Sequence, residues 1–276
     1  FPCGMVADFK RKNNLDFKLI GVLTDFAPHS FWVNEGVDYY VVPSDDARKR
    51  FITKGVDSQR IKIYGIPLKK KFAEKGDINL IASKLGLDSK LPTILIMGGG
   101  HGLGPMKNIV KSLIKIKKDF QIIAILGTNK TIIRRMKKFT KNVEKKVLVY
   151  EFANNVDELM DLATLVITKP GGITTAECLA KGVPMLINNP IPGQEMRNAD
   201  FLIKNGIGIR IDDASDIGEE VEILLNSSQR LKQMKQAALK HANPNSAKDI
   251  ARLILDPCVQ PSLSQKNLQS PLDQYV

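Results

Sequence analysis

From Asp77 to Leu255 the chain alternates short, continuously apolar runs with longer stretches whose apolar positions recur at helical spacing. The runs TILIMG, QIIAILG, KVLVYEF, ATLVIT and VPMLIN are each a strand's length and lack polar alternation, as strands covered on both faces should be. Between them, helix-period stretches are predicted over Pro105–Lys118, Lys130–Lys141, Asn155–Leu162, Ile173–Lys181 and Gln194–Lys204. The order strand, helix, strand, helix predicts a parallel α/β sheet. GIGIRID adds a sixth short strand, and two or three helices between Asp216 and Leu255 are expected to close the unit.

Residues 1–68 carry the same grammar in less complete form. KLIGVLTD, YYVVPS and IKIYGIP read as strands, with helix-like DDARKRFITKG between the last two. Three strands are few for an open sheet of this type, which usually has about five or six. The expected organisation is the back half of a first α/β domain (1–68), a linker (69–91), a complete second domain (92–255) and a polar, aperiodic, flexible tail (256–276). A start at Phe1, with no methionine and no basic or apolar leader, fits a missing natural N-terminus and offers no signal peptide.

Composition places the chain among globular proteins, with 43% hydrophobic and 25% charged residues among 276. No apolar run approaches the length of a membrane span. Cys3, Cys178 and Cys258 have no paired spacing, so neither a disulfide framework nor a zinc site is expected. Cys178, among small and apolar residues, reads as a buried thiol rather than a nucleophile. The net charge of +12 is concentrated: Met106–Leu148 holds thirteen Lys or Arg against two acids, a surplus of 13 − 2 = 11. An anionic membrane surface or nucleic acid would use such a segment, as would a merely solvated face. Phe120 and Phe139 are not regularly interleaved with the basic residues, which ranks nucleic acid low.

In an open parallel sheet, ligands bind beyond the carboxyl ends of the strands. The turn after TILIM is GGGHGLGP, with five glycines in seven positions from Gly98 to Gly104. Such a turn brings bare amides, and the following helix start, close to an anion. Its spacing matches neither G-x-G-x-x-G nor G-x-x-x-x-G-K-[ST]. After ATLVIT, Pro170 ends a strand, Gly171 and Gly172 free the backbone, and Thr174 and Thr175 offer hydroxyls. Glu177, too close to an anion site to hold phosphate, suits the two hydroxyls of a ribose, or simply the helix dipole. After VPMLIN, Gln194 and Glu195 stand at a helix mouth, fit for sugar hydroxyls or for capping. The chain has no D-x-D pair to hold a divalent metal against a diphosphate. Backbone amides and helix starts would then stabilise a departing nucleoside diphosphate.

Taken in order, MGGGHGLGP, VYEFANN, ITKPGGITTAECLAKGVPML and PIPGQEMRNADFL resemble the nucleotide-binding half of the glycosyltransferases that make diacylglycerol glycolipids. These are the bacterial diacylglycerol glucosyltransferases and the monogalactosyldiacylglycerol synthases, with the peptidoglycan lipid-intermediate N-acetylglucosamine transferase as a more distant relative. TDFAPHSFWVNEGVDYYVVPSDDARKRF and IKIYGIPLKKKF are similar to the back half of the same family's first domain. The resemblance covers about Phe1 to Leu255. It implies two facing Rossmann-like domains of the GT-B type, the first incomplete here, clasping a UDP-hexose with no metal and no further cofactor. By the same resemblance, Glu177 would bind the uridine ribose, and Gly98, Gly99 and Gly100 with Gly171, Gly172 and Thr174 the diphosphate. Phe152 and Ala153 would flank uracil, and Gln194 and Glu195 the hexose. Lys69 stands where relatives often have arginine, keeping the charge but not the bidentate fork.

The implied reaction is hexose transfer to diacylglycerol or a related lipid acceptor by an enzyme peripheral to the cytoplasmic membrane; the resemblance assigns membrane contact mainly to the first domain, and the basic segment offers a further contact for anionic headgroups. The family's opening strand, glycine-rich loop and histidine base have no counterpart, about 100 residues by ordinary domain size. Asp25 and His29 in TDFAPHSF are the remaining candidates for proton transfer, and His101 lies inside the glycine turn. Alternative readings are a non-catalytic UDP-sugar-binding protein or fragment, and a UDP-sugar epimerase of the same fold.

Overall fold

The computed structural model describes residues 2–99 and 105–256. Gly100, His101 and the tail beyond Asp256 lie outside the described residues, so the expectations for them find no counterpart below. In the first part of the chain come α1 (Pro2–Lys12), β1 (Ile20–Val22), β2 (Tyr39–Val42), α2 (Asp45–Ile52) and β3 (Ile61–Ile63). The three strands form one parallel sheet in the order β1-β2-β3. Helix α2 starts where the Ser44 side chain accepts from Ala47 N–H, with Asp45 and Asp46 in the first turn. Its Phe51 packs under Tyr40 in a small core with Leu23, Val37 and Val42.

The second sheet has six parallel strands: β4 (Thr93–Met97), β5 (Gln121–Ile125), β6 (Val147–Tyr150), β7 (Leu165–Thr168), β8 (Met185–Asn188) and β9 (Gly208–Ile211). Their spatial order is β6-β5-β4-β7-β8-β9, all neighbours parallel. The central strands read as unbroken apolar runs because helices cover both faces. On one face lie α4 (Met106–Leu113), α5 (Lys130–Thr140) and α9 (Ile217–Asn226), over Ile94, Ile96, Ile122 and Leu186. On the other lie α3 (Ile78–Leu85), α6 (Val156–Leu162), α7 (Gly172–Lys181), α8 (Gln194–Lys204) and α10 (Ser228–Lys240), over Leu95, Ile123, Val166 and Ile187.

Three features differ from the pattern-based reading. The stretch 69–91, expected as a linker, contains a 3-10 turn (Lys70–Phe72) and α3, and it is anchored. Asp161 on α6 accepts from Gly76 N–H at 3.0 Å, and Lys181 on α7 donates to Glu74 O and to Asp161. Helix α4 ends at Leu113 instead of Lys118. Ile116 and Phe120 keep the apolar rhythm going because the return segment is itself buried. Finally α11 (Ser246–Leu255) does not close the second unit. It lies on the first, with Ile250 and Leu253 against Val41, Ile20, Tyr39 and Tyr64. Lys18 donates to the carbonyls of Leu253, Ile254 and Asp256, satisfying the helix end.

The two units meet along a packed seam. Phe26 of the first stacks on Phe201 of α8 with centroids 4.4 Å apart, and beside it Ser246 Oγ at the start of α11 donates to Ile66 O at 2.6 Å, tying the returning chain to the first unit. Gly65 has φ 87°, and a Cβ there would stand 2.4 Å from Asn243 Cβ, so only glycine permits this approach.

Candidate functional site

The carboxyl ends of β4, β7 and β8 open into a shallow pocket lined by Met97, Met106, Thr168, Lys169, Asn188 and Asn189. Gly98 and Gly99 follow directly on the pocket-lining Met97 at the end of β4. Gly98 donates its N–H to Ile125 O at 3.0 Å, extending the β4–β5 ladder, so that amide is not free for an anion as expected. Gly99 turns the chain with φ 70° and has open space around it. Lys169, absent from the expected site residues, brings a cation to the pocket lining.

Helix α7 starts beside this pocket with no side-chain cap, leaving the amides of its first turn without intrahelical acceptors. Gly171 N–H is committed to Lys169 O at 3.0 Å. Gly172 is needed as glycine at the seam. A Cβ there would lie 1.8 Å from Thr24 O and 3.1 Å from Asp25 Oδ1, because the loop after β1 packs directly on this turn. Thr175 Oγ1 is fully buried and finds no hydrogen-bond partner among the described residues, while Thr174 is half-buried.

Glu177 lies one turn on from Thr174, on the same face of α7. Partial burial pushes its carboxyl up to about 7, opposed by Lys71 and Lys69 and reinforced by Asp157. With Glu177 on α7, those groups come from three different elements. Lys71, from the 3-10 turn, meets Asp157 Oδ1 at 2.5 Å and Asn154 O at 2.7 Å, joining the segment before α3 to the start of α6. Lys69 heads the same turn. Phe152 is exposed and Ala153 is buried at the end of the β6–α6 connection that also holds Asn154. Lys71 and Asp157 were not among the expected residues; the run Lys69–Lys71 was the available signal.

After β8 the loop to α8 is held by left-handed backbone at Asn189 (φ 52°) and Gly193 (φ 102°). Glu195 Oε2 accepts from Ile191 N–H at 2.7 Å, so this carboxylate latches its own loop, the capping alternative; Gln194 is exposed.

Asn198 went unrecognised in the sequence and ties these parts together. It is fully buried on α8. Its Oδ1 accepts from Phe26 N–H at 2.8 Å, and its Nδ2 donates to Pro170 O at 3.0 Å and Asp25 Oδ1 at 3.2 Å. One amide thus joins the loop after β1, the turn before α7 and the helix that follows Gln194 and Glu195. A polar residue inside the apolar stripe Asn198–Ala199–Leu202 was the clue, since buried polar groups require partners. Asp25 is therefore hydrogen-bonded at the seam. His29 Nδ1 accepts from Phe31 N–H at 3.4 Å, and its ring stacks on Phe31. Cys178 is fully buried, and burial pushes its thiol above the usual range, as an inert packing residue requires. No group of three or more potential metal-ligating side chains is present among the described residues.

Two parallel α/β units meet at a seam, with helix starts and a carboxylate gathered at the strand ends. This is the two-Rossmann-unit architecture of the GT-B type, the first unit holding three strands. Residues 93–254, more than half of the chain, match the model of the glycosyltransferase family 28 C-terminal domain, and residues 1–68 match that of monogalactosyldiacylglycerol (MGDG) synthase. The chain belongs to glycosyltransferase family 28. It is similar to the processive diacylglycerol beta-glucosyltransferase of Bacillus cereus (strain AH187), 32% identical over 256 residues, covering 92% of this chain and 66% of that protein. The corresponding enzyme of Bacillus thuringiensis (strain Al Hakam) is 32% identical over 257 residues, 93% of this chain and 66% of its own length. The chain thus spans slightly less than two thirds of these relatives. Among solved structures, Acinetobacter baumannii MurG superposes with a TM-score of 0.71 at 16% identity, covering 92% of this chain and 71% of that one. The S. aureus MnaA–UDP co-structure gives 0.67 at 16%, with 91% and 71% covered. At that identity the likeness is one of fold.

Proposed function

We propose that this chain forms the UDP-sugar-binding part of a glycosyltransferase that moves a hexose to diacylglycerol or a related lipid acceptor at the cytoplasmic membrane surface, without a metal. The observation that carries the reading is Glu177. A half-buried carboxylate stands one turn inside an uncapped helix start, flanked by Lys69 and Lys71. In this reading the open first-turn amides of α7, with Gly99 after β4 and Lys169 in the pocket lining, receive the diphosphate. Glu177 accepts from the ribose hydroxyls, Phe152 and Ala153 border the base, and Gln194 faces the hexose while Glu195 holds the loop in place. Leaving-group charge would fall on fixed backbone dipoles, which need no reorganisation as the glycosidic bond breaks. The 32% identity to diacylglycerol glucosyltransferases supports the acceptor chemistry in this reading. No described helix is long and apolar enough to cross a membrane, which suits attachment at the surface.

The test is thermal melting with nucleotides. UDP, and not ADP, is expected to raise the Tm, by about 2.7 kcal/mol of stabilisation at a hundred times its Kd. Addition of EDTA should leave the shift intact, and Glu177→Ala should remove most of it. Absence of any shift with millimolar UDP would refute the reading, and turnover of UDP-N-acetylglucosamine with no lipid present would redirect it to an epimerase.

A further inference from the structure

Of the thirteen basic residues between Met106 and Leu148, seven lie on two helices, Lys107 and Lys111 on α4 and Lys130, Arg134, Arg135, Lys137 and Lys138 on α5. Helices α4 and α5 cover the sheet face opposite the one joined by Phe26, Ile66 and Phe72 of the seam. Helix α5 buries Ile133 and Met136 and exposes Lys130, Arg134, Arg135, Lys137 and Lys138. Elsewhere cations are matched by carboxylates, as in Lys10–Asp38, Lys71–Asp157, Lys181–Asp161 and Lys204–Asp46. Among the described residues none of the thirteen has such a partner. The acidic helix α9, with Glu219, Glu220 and Glu222, packs against α4. The surplus is therefore neutralised least around α5.

The surface has a second property. No large apolar side chain between 106 and 148 is exposed, and Phe120 is buried and Phe139 half-buried. Their rings sit under Lys145 Nζ at 4.4 Å and Lys107 Nζ at 5.6 Å. A face with charge, no apolar wedge and no exposed aromatic suits a broad anionic plane. It does not suit unstacked bases, which need aromatic platforms, and it would not insert into acyl chains.

We propose that this α5-centred face of the second unit docks on the anionic headgroups of a phospholipid bilayer, holding the donor-binding unit itself against the membrane. The proposal rests on the lipid-acceptor reading above. Each Lys or Arg near an anionic leaflet adds attraction that decays within a Debye length, so docking must fall as salt rises.

The experiment is flotation of the full chain with vesicles of phosphatidylcholine alone or mixed with phosphatidylglycerol. A variant carrying Arg134→Gln, Arg135→Gln, Lys137→Gln and Lys138→Gln is compared with one carrying Lys232→Gln, Lys235→Gln, Lys240→Gln and Lys248→Gln. Glutamine keeps helix propensity, and circular dichroism checks the fold. Wild type should bind only the phosphatidylglycerol vesicles. The α5 variant, four charges short, should bind on the order of several hundredfold more weakly, and the control about as well as wild type. Equal loss in both variants, or none in the α5 variant, overturns the proposal, as does an RNA oligonucleotide that outcompetes the vesicles. The UDP-induced Tm shift, expected unchanged in the α5 variant, separates the readings. Vesicle binding without that shift defeats the functional reading alone, and the shift without vesicle binding defeats the docking surface alone.

Discussion

Glu177 and Gly172 sit five residues apart on one helix and carry opposite burdens, the first electrostatic and the second steric. For Glu177 the folded carboxyl titrates near 7, against an ordinary value of 4.5. Between those values the unfolded chain releases a proton that the folded chain keeps, so stability falls as pH rises through the window and levels off above it. Glu177→Gln removes the effect. The variant is expected to match wild type at pH 4 and exceed it at pH 8 by on the order of 1 kcal/mol, after allowance for solvent screening of a half-buried group. Urea titrations at both pH values measure the difference. Gly172→Ala drives a methyl into Thr24 O, where the backbone on either side must shift. A loss of about 3 kcal/mol is expected. Gly171→Ala, with nothing within 4 Å, should cost little and serves as the control.

At the scale of elements, α11 shows that chain order and spatial membership differ. It follows the second unit in sequence yet packs on the first sheet through Ile250 and Leu253. Leu253→Ala is therefore expected to cost about 2 kcal/mol. Amide exchange should quicken in β1, β2 and β3 while remaining slow in β4, β5 and β7. Uniform acceleration across both sheets would show instead that the units unfold together. Helix α3 carries a related lesson. The polar stretch Lys69–Asp77 around a proline-ended strand and a glycine reads as linker, yet Gly76 and Glu74 are bonded to Asp161 and Lys181. A short helix between polar flanks gives little periodicity to read.

At the scale of the whole molecule, the seam between the units governs both fold and site. Strands β4 to β9 and α5 to α8 were legible because continuous apolar runs and helical spacing are local properties of a sheet covered on two sides. Glu177, Gly99 and Gln194 were singled out as candidates by the rule that ligands gather at strand ends. Asn198, Lys71 and Asp157 were not, since each looks like an ordinary polar residue until partners distant in sequence are brought to it. Gly172 was legible as a special position, but its close approach to Thr24 O was not, because a glycine that admits a ligand and one that admits a neighbouring carbonyl look alike in sequence. The sequence alone determined the alternation of strands and helices, the glycine-marked turns and the concentration of positive charge, all set by side-chain chemistry over a few residues. The tertiary structure alone decided which unit α11 joins, which amides remain free and which cations surround Glu177, because those depend on contacts between segments dozens of residues apart.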